Sequence, residues 1–269
     1  MPELPEVETT VRGLRPVLED RVLTLVEARR PDLRRAIPAD LRQRLQGARV
    51  TGLGRRAKYG LIHVDRGDTL VFHLGMSGRW RIDPASIEKH DHLVLETDAG
   101  RRLALCDPRR FGSLDLMPTD DLEAWPPFKA LGPEPFGVTG GWLAGVFQDR
   151  VSPMKAMLLD QRVVAGLGNI YVCEALNLSR IDPRKPAGTV ARAALGRLAQ
   201  AIPAVLDAAI AAGGSTLRDY AQPDGELGYF ASQFRVYGRE GQACPCGRGT
   251  VARIVQSGRS TFWCPACQK

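Results

Sequence analysis

The sequence predicts an α+β fold: an N-terminal antiparallel β-sandwich domain, a helical part after it, and a C-terminal zinc-finger β-hairpin. Three observations carry that expectation. Residues 22 to 117 break into short apolar runs separated by turn-forming stretches such as Asp65-Arg66-Gly67-Asp68 and Asp98-Ala99-Gly100-Arg101, the pattern of a two-layer antiparallel sandwich. Beyond the proline-rich crossing from Trp125-Pro126-Pro127 to Gly132-Pro133-Glu134-Pro135, apolar residues recur at helical spacing. Of the 6 cysteines, Cys244, Cys246, Cys264 and Cys267 crowd the C-terminus, while Cys106 and Cys173 stand alone.

The bulk numbers narrow the class. A chain of 269 residues is long for one simple core, so two domains are expected. With 44% hydrophobic and 25% charged residues it reads as a globular protein. No apolar run approaches the roughly 18 residues of a membrane span. The start shows no basic segment followed by an apolar one, so a cytosolic protein without a membrane partner is expected. Lys plus Arg number 37 against 30 for Asp plus Glu, a net charge of +7. The excess is mostly arginine, whose planar fork suits phosphate, and it suggests a polyanionic partner. A solvated arginine-rich surface has the same composition.

In chain order, Pro5 fits a first helical turn, with Val7, Val11, Leu14 and Leu18 spaced behind it. Leu41 to Leu45 reads as a short helix. Strands are expected at Val22–Val26, Arg49–Leu53, Tyr59–Val64, Thr69–Leu74, Leu93–Glu96, Arg102–Cys106 and Ser113–Met117. Helices are expected at Trp142–Asp149, Pro153–Arg162, Ile170–Leu178 and Thr189–Ala212, the last kinked or restarted by Pro203. Between two of them, Ala165-Gly166-Leu167-Gly168-Asn169 offers a close backbone approach and helix N-terminal amides suited to phosphate. A helix-turn-helix on a phosphate backbone is one reading of it, and a tight interhelical turn is the other.

Chemistry is concentrated at Met1-Pro2-Glu3-Leu4-Pro5-Glu6. Removal of the initiator methionine leaves the secondary amine of Pro2. Added to an aldehyde carbon, such an amine gives an iminium that keeps its positive charge without a proton, so it is nucleophile and electron sink in one. An adjoining helix N-terminus lowers the pKa of that amine, and the neighbouring carboxylates oppose the effect. Glu3 and Glu6 can act as proton donors or acceptors. They are also what an ordinary first turn carries.

The tail from Tyr237 to Lys269 has two cysteine pairs separated by a hairpin-length run, four thiolates for a tetrahedral zinc. Cys264-Pro265-Ala266-Cys267 has the usual two-residue gap, and Cys244-Pro245-Cys246 has only one. Four thiolates leave no open position, so the expected ion is structural.

Taken together, several stretches resemble the bacterial formamidopyrimidine-DNA glycosylases, repair enzymes for oxidised purines. They are Pro2-Glu3-Leu4-Pro5-Glu6-Val7-Glu8-Thr9, Arg56-Ala57-Lys58-Tyr59, His73-Leu74-Gly75-Met76-Ser77-Gly78, Asp107-Pro108-Arg109-Arg110-Phe111-Gly112, Gly166-Leu167-Gly168-Asn169-Ile170-Tyr171 and the C-terminal cysteines. The likeness covers essentially the whole chain. It implies a sandwich catalytic domain (1–130), a helix-two-turns-helix DNA-binding domain with a lesion-binding loop (131–232) and a zinc finger (233–269), with double-stranded DNA as partner. Pro2 would attack the sugar C1′ and expel the base, Glu3 would protonate the ring oxygen, and elimination at both phosphates would follow. Glu6 matches a further active-site carboxylate. Lys58, Asn169 and Arg259 match phosphate ligands, Lys58 and Arg259 in the catalytic group. Lys155 matches a DNA-facing lysine, and His73 sits in a motif that reaches phosphate.

Base removal requires extrusion of the nucleotide from the stack. Met76, Arg109 and Phe111 match the family's intercalating trio, although Met76 and Phe111 are also ordinary core residues by type. Gly213-Gly214-Ser215-Thr216 to Gly228-Tyr229-Phe230 resembles the lesion-binding loop. His63, His90 and His92 carry no assignable chemistry. The expectation is a monomeric glycosylase and lyase with one zinc and no redox or nucleotide cofactor. Alternatives are an endonuclease VIII-like enzyme for oxidised pyrimidines and an inert zinc-containing DNA-binding protein.

Overall fold

Val7, Val11, Leu14 and Leu18 form the buried face of the first helix, as their spacing requires. A computed structural model describes residues 2–216 and 221–269. Its chain forms two units, residues 1–129 with 210–229, and residues 130–209 with 230–269.

In the first unit the elements are α1 (Leu4–Leu18), β1 (Leu23–Ala28), α2 (Leu41–Leu45), β2 (Val50–Arg56), β3 (Tyr59–Val64), β4 (Asp68–His73), β5 (Arg79–Ile82), β6 (Asp91–Thr97), β7 (Arg102–Cys106), β8 (Ser113–Pro118) and α3 (Pro126–Lys129). Two four-stranded antiparallel sheets result, ordered β1-β6-β7-β5 and β2-β3-β4-β8. Their inner faces share one core with α1, in which Leu53, Ile62, Leu70, Phe72 and Leu114 of one sheet meet Val26, Trp80, Leu93, Leu95 and Leu105 of the other. The rings of Phe72 and Trp80 meet edge to face, with centroids 5.6 Å apart. The sandwich is therefore as expected, with one strand more than the pattern disclosed. That strand, β5, is only 4 residues long and reads Arg-Trp-Arg-Ile, so a single buried side chain, Trp80, carries its apolar signal.

Elements of the second unit are α4 (Gly140–Phe147), α5 (Met154–Leu159), α6 (Asn169–Ser179), α7 (Arg192–Ala211), β9 (Ala252–Gln256) and β10 (Arg259–Trp263). Thr139 caps α4, its hydroxyl accepting from the Trp142 N–H at 3.1 Å. Helix α7 runs through Pro203 without a restart, one of the two outcomes expected there. Among the described residues it alone has the length and apolar composition of a membrane span, where the sequence reading expected none. Much of its apolar character is alanine, and Leu195, Leu198, Ile202, Val205 and Leu206 are buried within the fold. Strands β9 and β10 form the expected hairpin, turned at Ser257 (φ 50°) and Gly258 (φ 74°). Beneath it the four clustered cysteines pack with Cys173 of α6, Val236 and Val251.

Candidate active site

At the N-terminus, Glu3 caps α1 in a reciprocal box. Its carboxylate accepts from the Glu6 N–H, and its own N–H donates to Glu6 Oε2 at 2.8 Å. The second oxygen of Glu6, Oε1, accepts the Ser215 N–H at 2.8 Å. Both carboxylates are buried, Glu3 at 2% and Glu6 at 1% exposure, and Pro2 is buried beside them. Glu6 thus holds two main-chain donors from distant parts of the chain, the work of an anchor. Sequence alone left its supporting and proton-transfer roles open. Met1 lies outside the described residues, as does the stretch 217–220 of the expected lesion-binding loop.

Lys58 occupies the turn between β2 and β3, where Arg56 pairs with Tyr59. The preceding Ala57 is buried with φ 51°, a left-handed conformation that costs a side-chain-bearing residue about 1 kcal/mol. Arg55 supports the strained turn: its Nη1 donates to the Ala57 carbonyl at 2.9 Å and its Nε to Glu8 Oε2 of α1 at 3.0 Å. One strand over, His73 pairs with Tyr59 in register, and their ring centroids lie 4.9 Å apart. The Gly75 N–H donates to His73 Nδ1 at 3.0 Å, which puts the ring proton on Nε2. Burial above all, then the charges of Lys58, Arg34 and Arg35, pushes the imidazole pKa down to about 4. His73 is a neutral donor at physiological pH.

The three residues matched to the intercalating trio stand on two adjoining loops. Met76 is partly exposed on the first, and Arg109 and Phe111 are exposed on the second, with the guanidinium 5.0 Å from the phenyl centroid. Core packing, the ordinary alternative for Phe111, is excluded by its 45% exposure. Gly75 has φ 61°, and a Cβ there would sit 2.3 Å from the Phe111 carbonyl carbon, so only glycine permits this approach of the loops.

Within the second unit, the amide of Gln161 fastens the glycine turn. Its Nε2 donates to the Leu167 carbonyl at 2.8 Å and its Oε1 accepts from the Gly166 N–H at 2.9 Å. Asn169 begins α6, and its Nδ2 donates to the Ser260 carbonyl of β10 at 3.0 Å and lies 3.4 Å from the Tyr237 hydroxyl. Lys155, expected to face DNA, is 1% exposed. Its ammonium donates to the Ser260 carbonyl at 2.9 Å and to Thr261 Oγ1 at 2.6 Å, because the hairpin supplies one backbone and one side-chain acceptor in reach of a buried charge. Lys155 therefore holds the hairpin on which Arg259 is exposed, and both line a cavity of about 330 Å³ with Ala156, Asp160 and Gln256.

One structurally important acid is not among the residues the sequence singles out. Glu174 of α6 is buried, and its carboxylate accepts the consecutive N–H groups of Arg235, Val236 and Tyr237 at 2.8, 3.0 and 2.8 Å. A lone acid amid Ile170-Tyr171-Val172-Cys173 and Ala175-Leu176 was the available signal.

The cysteine sulfurs of Cys244, Cys246, Cys264 and Cys267 all lie within 4.8 Å of one another. Cys244 and Cys267 are 4.0 Å apart and Cys246 and Cys264 3.8 Å apart. A tetrahedron with metal–sulfur distances of about 2.3 Å has edges of about 3.8 Å, so the donors fit zinc. The short Cys244-Pro245-Cys246 spacing does not spoil the set: Gly247 turns back at φ 69°, and the Arg248 N–H donates to Cys246 Sγ at 3.4 Å.

Pro2, Glu3, Glu6, Lys58, His73, Met76, Arg109 and Phe111 thus belong to the first unit, and Lys155, Asn169, Arg259 and the four cysteines to the second. Residues 1–114 match the family model of the formamidopyrimidine-DNA glycosylase N-terminal domain, and residues 131–221 match that of the formamidopyrimidine-DNA glycosylase H2TH domain. The chain belongs to the formamidopyrimidine-DNA glycosylase family. Relatives bearing that name in Rhizorhabdus wittichii and Novosphingobium aromaticivorans are 69% and 66% identical, with 100% of each chain covered. Among solved structures, Lactococcus lactis Fpg bound to DNA containing an abasic site superposes with a TM-score of 0.92 at 33% identity, over 100% of both chains. The same Lactococcus protein bound to DNA containing an oxidized pyrimidine gives a TM-score of 0.90 at 33% identity over 100% of both chains. Family membership makes this chain a DNA-repair glycosylase.

Proposed function

We propose that this glycosylase excises oxidised purines, 8-oxoguanine and formamidopyrimidines, from double-stranded DNA and then cuts the strand through an N-terminal proline Schiff base. The observation that carries this reading is the buried N-terminal box, in which Pro2 adjoins Glu3 while Glu6 is fixed by main-chain donors. Once methionine is removed, the Pro2 nitrogen attacks C1′ and the base departs with a proton. Glu3 delivers a proton to the sugar ring oxygen as the ring opens, leaving an iminium at C1′. Loss of a C2′ proton then expels the 3′ phosphate, and a second elimination expels the 5′ phosphate.

The remaining residues handle the polyanion. Lys58, His73, Asn169 and Arg259 bind phosphate, His73 as a neutral Nε2–H donor and Lys58 as a point charge. Lys155 keeps Arg259 in place through the hairpin. Met76, Arg109 and Phe111 enter the gap left by the extruded nucleotide, Arg109 pairing with the orphaned base. Zinc in the four-cysteine cluster ties the hairpin together and takes no part in the chemistry. The functional division is 1–130, 131–232 and 233–269, and the enzyme acts as a monomer.

Borohydride trapping tests the mechanism. Incubated with an oligonucleotide carrying 8-oxoguanine opposite cytosine and then reduced, the protein is expected to become covalently linked through Pro2. A stable complex without any adduct would leave only an inert binding protein. The Lactococcus complex with an oxidized pyrimidine gives substance to a second, pyrimidine-directed reading. Faster turnover of oxidised thymine than of 8-oxoguanine would establish it.

A further inference from the structure

Two loops present Met76, Arg109 and Phe111, and one buried carboxylate fastens both. Asp107 is 1% exposed. Its Oδ1 accepts the Ser77 hydroxyl at 2.8 Å, next to Met76, and its Oδ2 accepts the Gly112 N–H at 2.8 Å, next to Phe111. Ser77 Oγ in turn accepts the Arg109 N–H at 3.3 Å. Each of the three presented residues is therefore bonded itself, or through its immediate neighbour, to the same Asp107–Ser77 pair.

The backbone of Asp107 is held equally firmly. Its N–H donates to the His90 carbonyl at 2.9 Å, and its own carbonyl accepts from the Arg110 N–H at 3.2 Å. That carbonyl also accepts His92 Nε2–H at 2.9 Å, since a carbonyl has no proton to give. His92 is buried and, with burial pushing its pKa down, stays neutral with the proton on Nε2. Hydrogen bonds to a charged acceptor away from water are the strong kind, and they suit a part that must keep its shape under load. Extrusion is such a load, because unstacking and unpairing a base costs a few kcal/mol. A presented side chain that swings away under that load does no work on the stack.

We infer that Asp107, with Ser77, is a positioning residue that stiffens the two loops so that Met76, Arg109 and Phe111 drive extrusion of the paired nucleotide. The inference rests on the proposed function, in which those three residues fill the vacated gap. Asp107 then touches neither the sugar nor the base, and its effect is confined to substrates that must be forced out of a duplex.

The test compares two single-turnover rates in the full-length zinc-loaded chain: release of 8-oxoguanine paired with cytosine, and strand cleavage at an abasic site in the same duplex. Asp107→Ala is expected to slow the first about ten-fold more than the second, equivalent to about 1.4 kcal/mol of transition-state stabilisation. Asp107→Asn retains an acceptor for Gly112 and is expected to recover part of the difference. Placed in a Met76→Ala/Arg109→Ala/Phe111→Ala background, Asp107→Ala should add no further loss, whereas general damage to the fold would still add its own. Should Asp107→Ala fail to fold, Ser77→Ala serves instead, with an expected difference of about three-fold. Equal slowing of both reactions, or a full additional loss in the triple-variant background, overturns the inference. A wild-type chain that neither releases base nor cuts would sink the proposed function, and the inference with it.

Discussion

His73 shows how one ring nitrogen is committed by its surroundings. Its Nδ1 holds the Gly75 N–H, and burial with Lys58, Arg34 and Arg35 nearby keeps it unprotonated down to about pH 4. An unfolded histidine takes up its proton near pH 6.5, so between these values the unfolded chain binds more protons than the folded one. The associated stability is complete above pH 6.5 and is lost as pH falls through 4, by about 3 kcal/mol in all. His73→Asn keeps an acceptor and removes the titration, and urea unfolding across pH 4 to 7 should show a decline shallower by about that amount. The motif around His73 was legible in sequence. Its protonation state was not, because it depends first on burial in the fold and then on the charges of Lys58, Arg34 and Arg35. The same holds for Glu6, whose second partner, the Ser215 N–H, stands 209 positions away. His92 read as a satisfied histidine with no chemistry of its own, and only the fold discloses that its partner is Asp107.

At the level of elements, what the sequence states locally comes out as read. Helix α1 follows from four spaced apolar residues, and seven of the eight sandwich strands follow from alternation between turns. Failures occur where a neighbour in space overrides the local rule. Strand β5 has too few apolar residues to be seen and exists because β7 pairs with it. Pro203 removes one helical donor, yet α7 continues, held by the buried face on either side. The four-cysteine hairpin combines both cases. Its cysteines announce it, while the acid that holds the approach to it at residues 235–237, Glu174, belongs to helix α6. Glu174→Gln leaves one acceptor oxygen and turns an amide group toward a main-chain donor, at a cost of about 2 kcal/mol. Thermal unfolding at fixed zinc concentration should show that loss, and Glu174→Ala a larger one. Removal of zinc with a chelator should release one ion per chain and lower DNA affinity at least about ten-fold, with recovery on readdition, since structural zinc contributes folding free energy directly. Anisotropy titrations with a labelled duplex measure that change.

For the molecule as a whole, a net charge of +7 makes affinity for a duplex strongly dependent on salt. Lys58→Ala is expected to weaken binding on every sequence and to reduce the slope of log affinity against log salt by about 1. An unchanged slope would remove Lys58 from the phosphate contacts. Composition made the polyanionic partner readable, but not the path of the chain. The passage near residue 130 coincides with a proline-rich stretch. The two further passages, near 210 and 230, coincide with no comparable change of composition, because the first of them lies within α7.

That path has a bearing on biosynthesis. A ribosome delivers Glu6 early, whereas the Ser215 amide that completes its hydrogen bonding emerges 209 positions later. A nascent polypeptide released early, or a fragment ending near residue 130, carries Glu6 without one of the two main-chain donors that hold it. The hydrogen bonding of the N-terminal box is thereby completed only late in translation.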